Sequence, residues 1–520
     1  MKKLIALCLA LTLLCGCNAD IREPSEVTLP EEEVTEEPSE TAADKEPGEF
    51  GMSYLPEQGL NPLTCRATMN RAMFSLLYES LFVVSSQFRA EPVLCRNFTV
   101  SEDGTIYNFE LMPGVQFSDG SPLTARDVIS SLEAARTSDI YRGRLRHISW
   151  MKAEDNGSIS VVLKTPYENF CLMLDVPIMK AETVKDQIPV GTGPYAKRGD
   201  SLRLNSHWWQ TEPPAVHADK IPLTASSTGN ELRDSFEFGG TDIIYCDPNS
   251  PAAVNYRCDY EVWEAPTTIM HYIGFNLGSG YFANEALRAA LTHAVDRVGI
   301  SNQIYGGFAQ ASVLPCSPSS DLYDHQLADE YGYAPASFQA EVNNSGILMS
   351  AQYEGHVGYF LVCREDPKRV EAAEMIAKAL NDAGLQIQVA AKSRDEYEQD
   401  LKNGEFDLYY GEVRLTPNFD LTAFFAEQGT LAFGGIASSG LDALCTESLA
   451  NSGSYVDLCA QVMAEGRLCP VLFKSYAVYV TRGMISSITP AVDFLFHNGA
   501  TARTLADADK TYEAPEPTEE

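Results

Sequence analysis

The clearest alternation of hydrophobic and polar positions lies between Phe98 and Ala135. Tyr107, Phe109 and Leu111 are separated by polar residues, which predicts a strand with one buried face. Before them, Ser101-Glu102-Asp103-Gly104 reads as a turn in which Gly104 supplies the permissive backbone. Pro113-Gly114 ends the run, and Ser118-Asp119-Gly120 is a second tight turn. Thr124 with Asp127 three residues on is a capping-box pair, and Val128, Leu132 and Ala135 then recur at helical spacing. The block predicts strand, turn, short strand, turn and capped helix. It contains no candidate catalytic group.

From His356 to Arg414 the period alternates between strand and helix. Val357–Cys363 is an apolar run. Asp366-Pro367 opens a helix whose Val370, Ala373, Ala377, Leu380 and Ala383 share one face, and Asn381-Asp382-Ala383-Gly384 closes it. Leu385, Ile387 and Val389 alternate. Ser393 with Glu396 caps a second helix that stops near Asn403-Gly404, and Phe406–Tyr410 is a third strand. This βαβαβ order predicts a parallel sheet with helices on its faces. Ligands of open α/β sheets bind beyond the carboxyl ends of the strands. That places Tyr409, Tyr410, Glu412 and Arg414 as candidate ligand-binding residues, two aromatics and two opposite charges around Gly411. The competing reading is that Glu412 and Arg414 pair with each other at the surface. A second candidate pair, Tyr245 and Asp247, ends the apolar run Asp242–Cys246; Asp247 would equally cap the turn after it. Asn284 reads as the N-cap of a helix with Leu287, Ala290, Leu291, Ala294 and Val295 on one face. Trp208-Trp209 reads as packing.

Length changes the picture first: 520 residues exceed a single core, so two or three lobes are expected. The net charge of −34 excludes nucleic acid as a partner and disfavours electrostatic adhesion to anionic lipid. The eight histidines are scattered, with His207 and His217 too far apart for metal-ligand spacing, and no phosphate loop, nucleophile elbow or metal motif is present. No cofactor, metal or enzymatic activity is expected. Of thirteen cysteines, three lie in the first 17 residues. The other ten show no Cys-x-x-Cys, and Cys171, Cys246 and Cys363 read as small core residues.

Residues 1–17 have the form of a targeting segment: Lys2-Lys3, an apolar run from Leu4 to Leu14, then Leu14-Cys15-Gly16-Cys17. The last four residues resemble a bacterial lipobox, which would make Cys17 the lipidated first residue of the mature protein, anchoring it to the membrane. Residues 18–48 read as an acidic disordered tether and 507–520 as a similar tail.

The block from Glu102 to Val128, with its Asp-Gly turn, aromatic strand, Pro-Gly and FSDGSPLTARDV, resembles bacterial extracellular solute-binding proteins of family 5, the peptide/nickel class. LNPLT (60–64), LYESLF (77–82), GTGPY (191–195), FNLGSGYFANEALRAALTHAVDR (275–297) and CPVLFKSYAVYVTRG (469–483) follow in that family's order. The resemblance implies a periplasmic-binding-protein-like α/β clamshell with an extra lobe. Lobe I would comprise 49–80, 189–272 and 479–506, the extra lobe 81–188, and lobe II 273–478. It also implies a monomer on the extracytoplasmic face that passes a ligand, a peptide above all, to ABC permease subunits. In that family's terms Asp296-Arg297 is a structural helix-end pair. Peptide binders of the family often carry an Asp for the peptide amino terminus; that position falls here on Val413. Either Glu412 takes the cation, or Arg414 faces an anion. Nickel complexes, opines and sugars stay open as ligands. A ligand sensor of the same fold, or a surface hydrolase lacking any visible nucleophile, are the alternatives.

Overall fold

The computed structural model describes residues 49–211, 214, 216, 218–496 and 502–504. The expected leader with Cys17, the tether, the tail and His217 lie outside the described residues.

Two long strands, Tyr260–Phe275 and Leu468–Thr481, run antiparallel through the middle of the molecule. Leu468–Thr481 is buried along nearly all its length, as a strand covered on both faces must be, and its run of Val, Leu, Phe and Tyr meets that demand. On one flank of this pair lie Leu408–Arg414, Gly358–Cys363 and Ile387–Lys392; on the other lie Ile243–Cys246, Met52–Tyr54, Lys220–Ala225, Ser201–Leu204 and Tyr195–Arg198. Ala309–Ala311 adds an eleventh strand beside Leu468–Thr481. The central pair therefore belongs to both lobes. Its first half pairs Tyr260–Pro266 with Ser475–Thr481, its second Met270–Gly274 with Leu468–Phe473, and the register breaks between Pro266 and Met270. Such a break bends a strand. Thr267 ties it down, its hydroxyl donating to the Lys474 carbonyl at 2.6 Å.

The βαβαβ unit forms as expected. Gly358–Cys363 lies between Ile387–Lys392 and Leu408–Arg414, parallel to both. Asp366 caps the first helix, Pro367–Asp382, by accepting the Arg369 N–H at 3.1 Å, and Ser393 with Glu396 forms a capping box on Arg394–Asn403. Leu408–Arg414 runs four residues past the expected Tyr410, because Ile269–Phe275 pairs with it over its whole length.

The extra lobe is a separate antiparallel sheet ordered Cys95–Val100, Ile106–Leu111, Ile159–Leu163, Ile148–Ala153. Tyr107 and Phe109 face its core, and the Thr124–Asp127 capping box opens the helix Ala125–Ala135. The expected short strand after Pro113 is absent. Too few residues separate Pro113-Gly114 from the Asp119-Gly120 turn for a ladder, so Val115–Leu123 folds on itself. Phe117 N–H donates to the Ser121 carbonyl at 2.8 Å and Leu123 N–H to that of Val115 at 3.0 Å. The ten described cysteines are free thiols; Cys171 and Cys363 are buried as expected, while Cys246 is partly exposed. No helix among the described residues is long and apolar enough to cross a membrane.

Candidate functional site

The carboxyl end of Leu408–Arg414 divides by the strand's alternation. Tyr409 and Val413 point to one face. Tyr409 is fully buried, edge-on to Tyr272 at 5.7 Å. Gly411 lets the same sheet close up, since a Cβ there would lie 2.3 Å from the Tyr272 ring. Tyr410, Glu412 and Arg414 point to the other face. Tyr410 is fully buried against the His271 ring at 5.6 Å. The Glu412 carboxylate receives His271 Nε2 at 2.6 Å, Lys474 Nζ at 3.4 Å and Arg369 at 3.7 Å. Because a carboxylate only accepts, His271 carries its proton on Nε2, and its Nδ1 accepts the Tyr305 hydroxyl at 3.1 Å. Burial holds His271 below the ordinary imidazole range against the pull of Glu412. Burial would raise the Glu412 carboxyl, but Arg369, Lys474 and His271 outweigh it and hold it well below the usual carboxylate range. Lys474 also bonds Asp247, whose other oxygen accepts the Asn249 N–H at 2.9 Å, the turn cap foreseen as its second role. Tyr245 packs on Tyr476 at 5.4 Å. Lys474 thus bridges Asp247 and Glu412, which come from opposite flanks of the central strand pair.

Glu412 and Arg414 do not pair with each other. Arg414 instead meets Asp493 at 3.2 Å, and of the six candidates it is the one that lines a cavity of about 570 Å3. Asp493 gathers arginines from three distant segments: Arg144 at 2.6 Å, Arg414, and Arg71 at 3.8 Å. Arg144 also holds Asp175 at 2.5 Å, fully buried. Burial would raise the Asp493 carboxyl, yet Arg414, Arg144 and Arg71 keep it well below the usual range. Burial does win at Asp175, pushing its carboxyl up to about 6 despite Arg144. One wall of the cavity comes from residues 66–71 and 136–146, the other from 413–430. Direct contacts join the walls. Arg146 bonds Asp420, and outside the cavity Arg89 grips Asp321 through two bonds of 2.6 and 2.8 Å. The Phe88 and Phe419 rings meet at 4.9 Å. Phe88, Phe419 and Asp493 are the non-glycine residues with left-handed backbone among the described residues, at φ 58°, 56° and 62°, and all three lie on this seam. Strained backbone of that kind persists only where surrounding structure over-determines it.

A larger cavity, about 640 Å3, has its walls in residues 75–112, 194–211 and 494–496, with none from 413–430. There the Trp208 and Trp209 indoles do more than pack: with Gln210 they donate to the buried Glu79 carboxylate at 3.3, 2.9 and 3.1 Å. Among the described residues no group of three His, Cys, Asp or Glu side chains is placed to hold a metal ion.

Arg71, Arg144 and Asp493 were not foreseen from the sequence. A signal for Arg144 exists in Arg142-Gly143-Arg144-Leu145-Arg146, a cationic run in a strongly acidic chain. Asp493, in Pro490-Ala491-Val492-Asp493, carries none.

Two α/β lobes joined by a crossing strand pair, an extra lobe, and a polar cavity at the closure seam define a periplasmic-binding-protein clamshell. The chain belongs to family 5 of the bacterial extracellular solute-binding proteins: the family's profile, "Bacterial extracellular solute-binding proteins, family 5 Middle", matches residues 89–429. The glutathione-binding protein GsiB of Salmonella typhi is 25% identical over 306 residues, 55% of this chain and 59% of that one, so the match spans about six-tenths of the relative's length. Among solved structures, the substrate-binding protein CtaP of Listeria monocytogenes superposes with a TM-score of 0.70 at 15% identity, covering 88% of this chain and 100% of that one. The murein tripeptide-binding protein MppA, solved in an unliganded open form, gives 0.68 at 14%, covering 84% and 93%. The family's character places the chain outside the cytoplasm.

Proposed function

We propose that this chain is a lipid-anchored extracytoplasmic binding protein that captures a small polar ligand of short-peptide size and delivers it to an ABC importer. The observation that carries this is the cavity itself. Its walls come from both sides of a hinged molecule, and its volume suits a ligand of a few residues. The names of GsiB and MppA, glutathione-binding and murein-tripeptide-binding, support a peptide-like ligand. Lobe I is read as 49–80, 189–272 and 479–506, the extra lobe as 81–188, and lobe II as 273–478. Of the six candidates Arg414 lines the cavity, whereas Tyr409, Tyr410, Glu412, Tyr245 and Asp247 are not among its lining residues. The Leu14-Cys15-Gly16-Cys17 run supports anchoring through Cys17.

The test is mass spectrometry of small molecules released by denaturing the gently purified protein, with small-angle scattering on the protein before and after reloading. A released polar compound that restores a smaller radius of gyration is the expected result. A protein that releases nothing, and whose scattering no added peptide changes, refutes capture.

A further inference from the structure

Resting on that reading of the cavity as the capture site, we propose that its ligand is a compact molecule with two or more acidic groups, and that Arg71 is the innermost residue receiving one of them. The whole chain carries a net charge of −34, yet eight Arg and Lys side chains line this cavity against three carboxylates, Asp139, Asp420 and Asp493. A cleft whose sign opposes that of its protein concentrates field on whatever enters it.

The carboxylates present are already shared out. Asp493 serves Arg71, Arg144 and Arg414. Asp139 is divided between Arg66 at 3.1 Å and Arg142 at 3.2 Å. Asp420 is taken by Arg146. Lys164 donates to the Arg146 carbonyl at 2.7 Å and meets no carboxylate among the described residues. Arg71 is the sharpest case. It is nine-tenths buried, its one acidic neighbour among the described residues stands 3.8 Å away, and its Nη1 has no hydrogen-bond partner there. A buried guanidinium edge without an acceptor is costly, and the Arg71 side chain is among those lining the cavity. The planar fork of an arginine fits a carboxylate or phosphate. A single acidic group would satisfy Arg71 and leave the Arg66–Arg142 pair at the rim under-neutralised, so a second is called for. Val413 on the facing wall offers no charge to a ligand cation.

The test is titration calorimetry of the full chain with four probes: citrate and glutathione as carboxylates, 2-phosphoglycerate as a phosphate, and trialanine amide without an acid. At least one acidic probe is expected to bind, more weakly as salt rises, while trialanine amide does not. Arg71→Met is expected to lower that affinity by about 30-fold or more. Arg142→Gln at the partly exposed rim cannot unfold the core, and is expected to lower it several-fold. Preference for citrate or glutathione over 2-phosphoglycerate, which carries one carboxylate and one phosphate, identifies the acids as carboxylates, and the reverse identifies at least one as phosphate. Failure of every acidic probe, or wild-type affinity in both folded variants, overturns the proposal. Binding of trialanine amide alone, with compaction, overturns it while leaving capture intact. If no probe binds and denatured protein releases no small molecule, capture falls as well.

Discussion

Asp493→Asn isolates the charge that holds the seam together. Asn is nearly isosteric and, like Asp, tolerates the left-handed φ of 62° at this position, so the backbone is not newly strained. What is lost is the anion shared by Arg71, Arg144 and Arg414. The side chains are 10%, 9% and 16% exposed and Asp493 itself 12%, so solvent screens little of the change. Removing one partner of a buried ion pair typically costs about 3–5 kcal/mol. The Asn carbonyl still accepts from Arg144, which places this case near the lower end, about 3 kcal/mol. With an unfolding entropy of about 2.1 cal/mol/K per residue over roughly 450 residues, 3 kcal/mol lowers the melting temperature by about 3 °C if the lobes unfold together. Scanning calorimetry measures this directly. The pH dependence gives a second readout. The folded Asp493 carboxyl lies below its unfolded value, so its contribution is complete above about pH 4 and drains away as pH falls below it. Asp493→Asn should therefore lose less stability on acidification than the wild type. A melting temperature within about 1 °C of wild type at pH 7, with an unchanged acid limb, would refute the ion cluster as a stabilising element.

Three further outcomes are expected. Arg414→Ala should weaken ligand binding, whereas Glu412→Gln should lower stability and leave affinity near wild type, because Glu412 faces His271, Arg369 and Lys474 rather than the cavity; calorimetric titration and thermal melts of both variants check the split. The buried neutral His271 has its folded pKa below the unfolded value near 6.5, so stability should rise with pH below that value, by at most about 1.4 kcal/mol per pH unit, and His271→Gln should flatten that slope in denaturant titrations between pH 5 and 7. Cys17→Ala should abolish acylation and leave the protein unprocessed or released from the membrane fraction, read by labelling with a fatty-acid analogue.

The elements of the fold were legible where short-range chemistry decides them. Both capping boxes, the Asp366-Pro367 helix start and the βαβαβ order follow from residues a few positions apart, and each is present. The end of the strand expected at Phe406–Tyr410 was harder to read: its extension to Arg414 depends on Ile269–Phe275, over a hundred residues earlier in the chain. Periodicity correctly put Glu412 and Arg414 on one face of that strand. It could not say that Lys474 and Arg369 draw the first inward while Asp493 draws the second to the cavity, since those partners come from other segments. Arg71 escaped for the same reason: it looks like an ordinary surface arginine until distant chain is folded against it, and the cationic run around Arg144 does not reveal Asp175 and Asp493 as its partners.

The seam where Phe88 meets Phe419 and Arg89 meets Asp321 has a consequence for release. These contacts join the two sides of the molecule without touching the cavity. On the proposed capture reading, they help to set how much of the ligand-free protein is already closed. Apparent affinity scales with the fraction of molecules in the binding-competent state, so the strength with which the ligand is held is adjustable from outside its own site. A membrane partner that prises apart one ring pair and one exposed ion pair would loosen the ligand without competing for any of the arginines proposed to hold it.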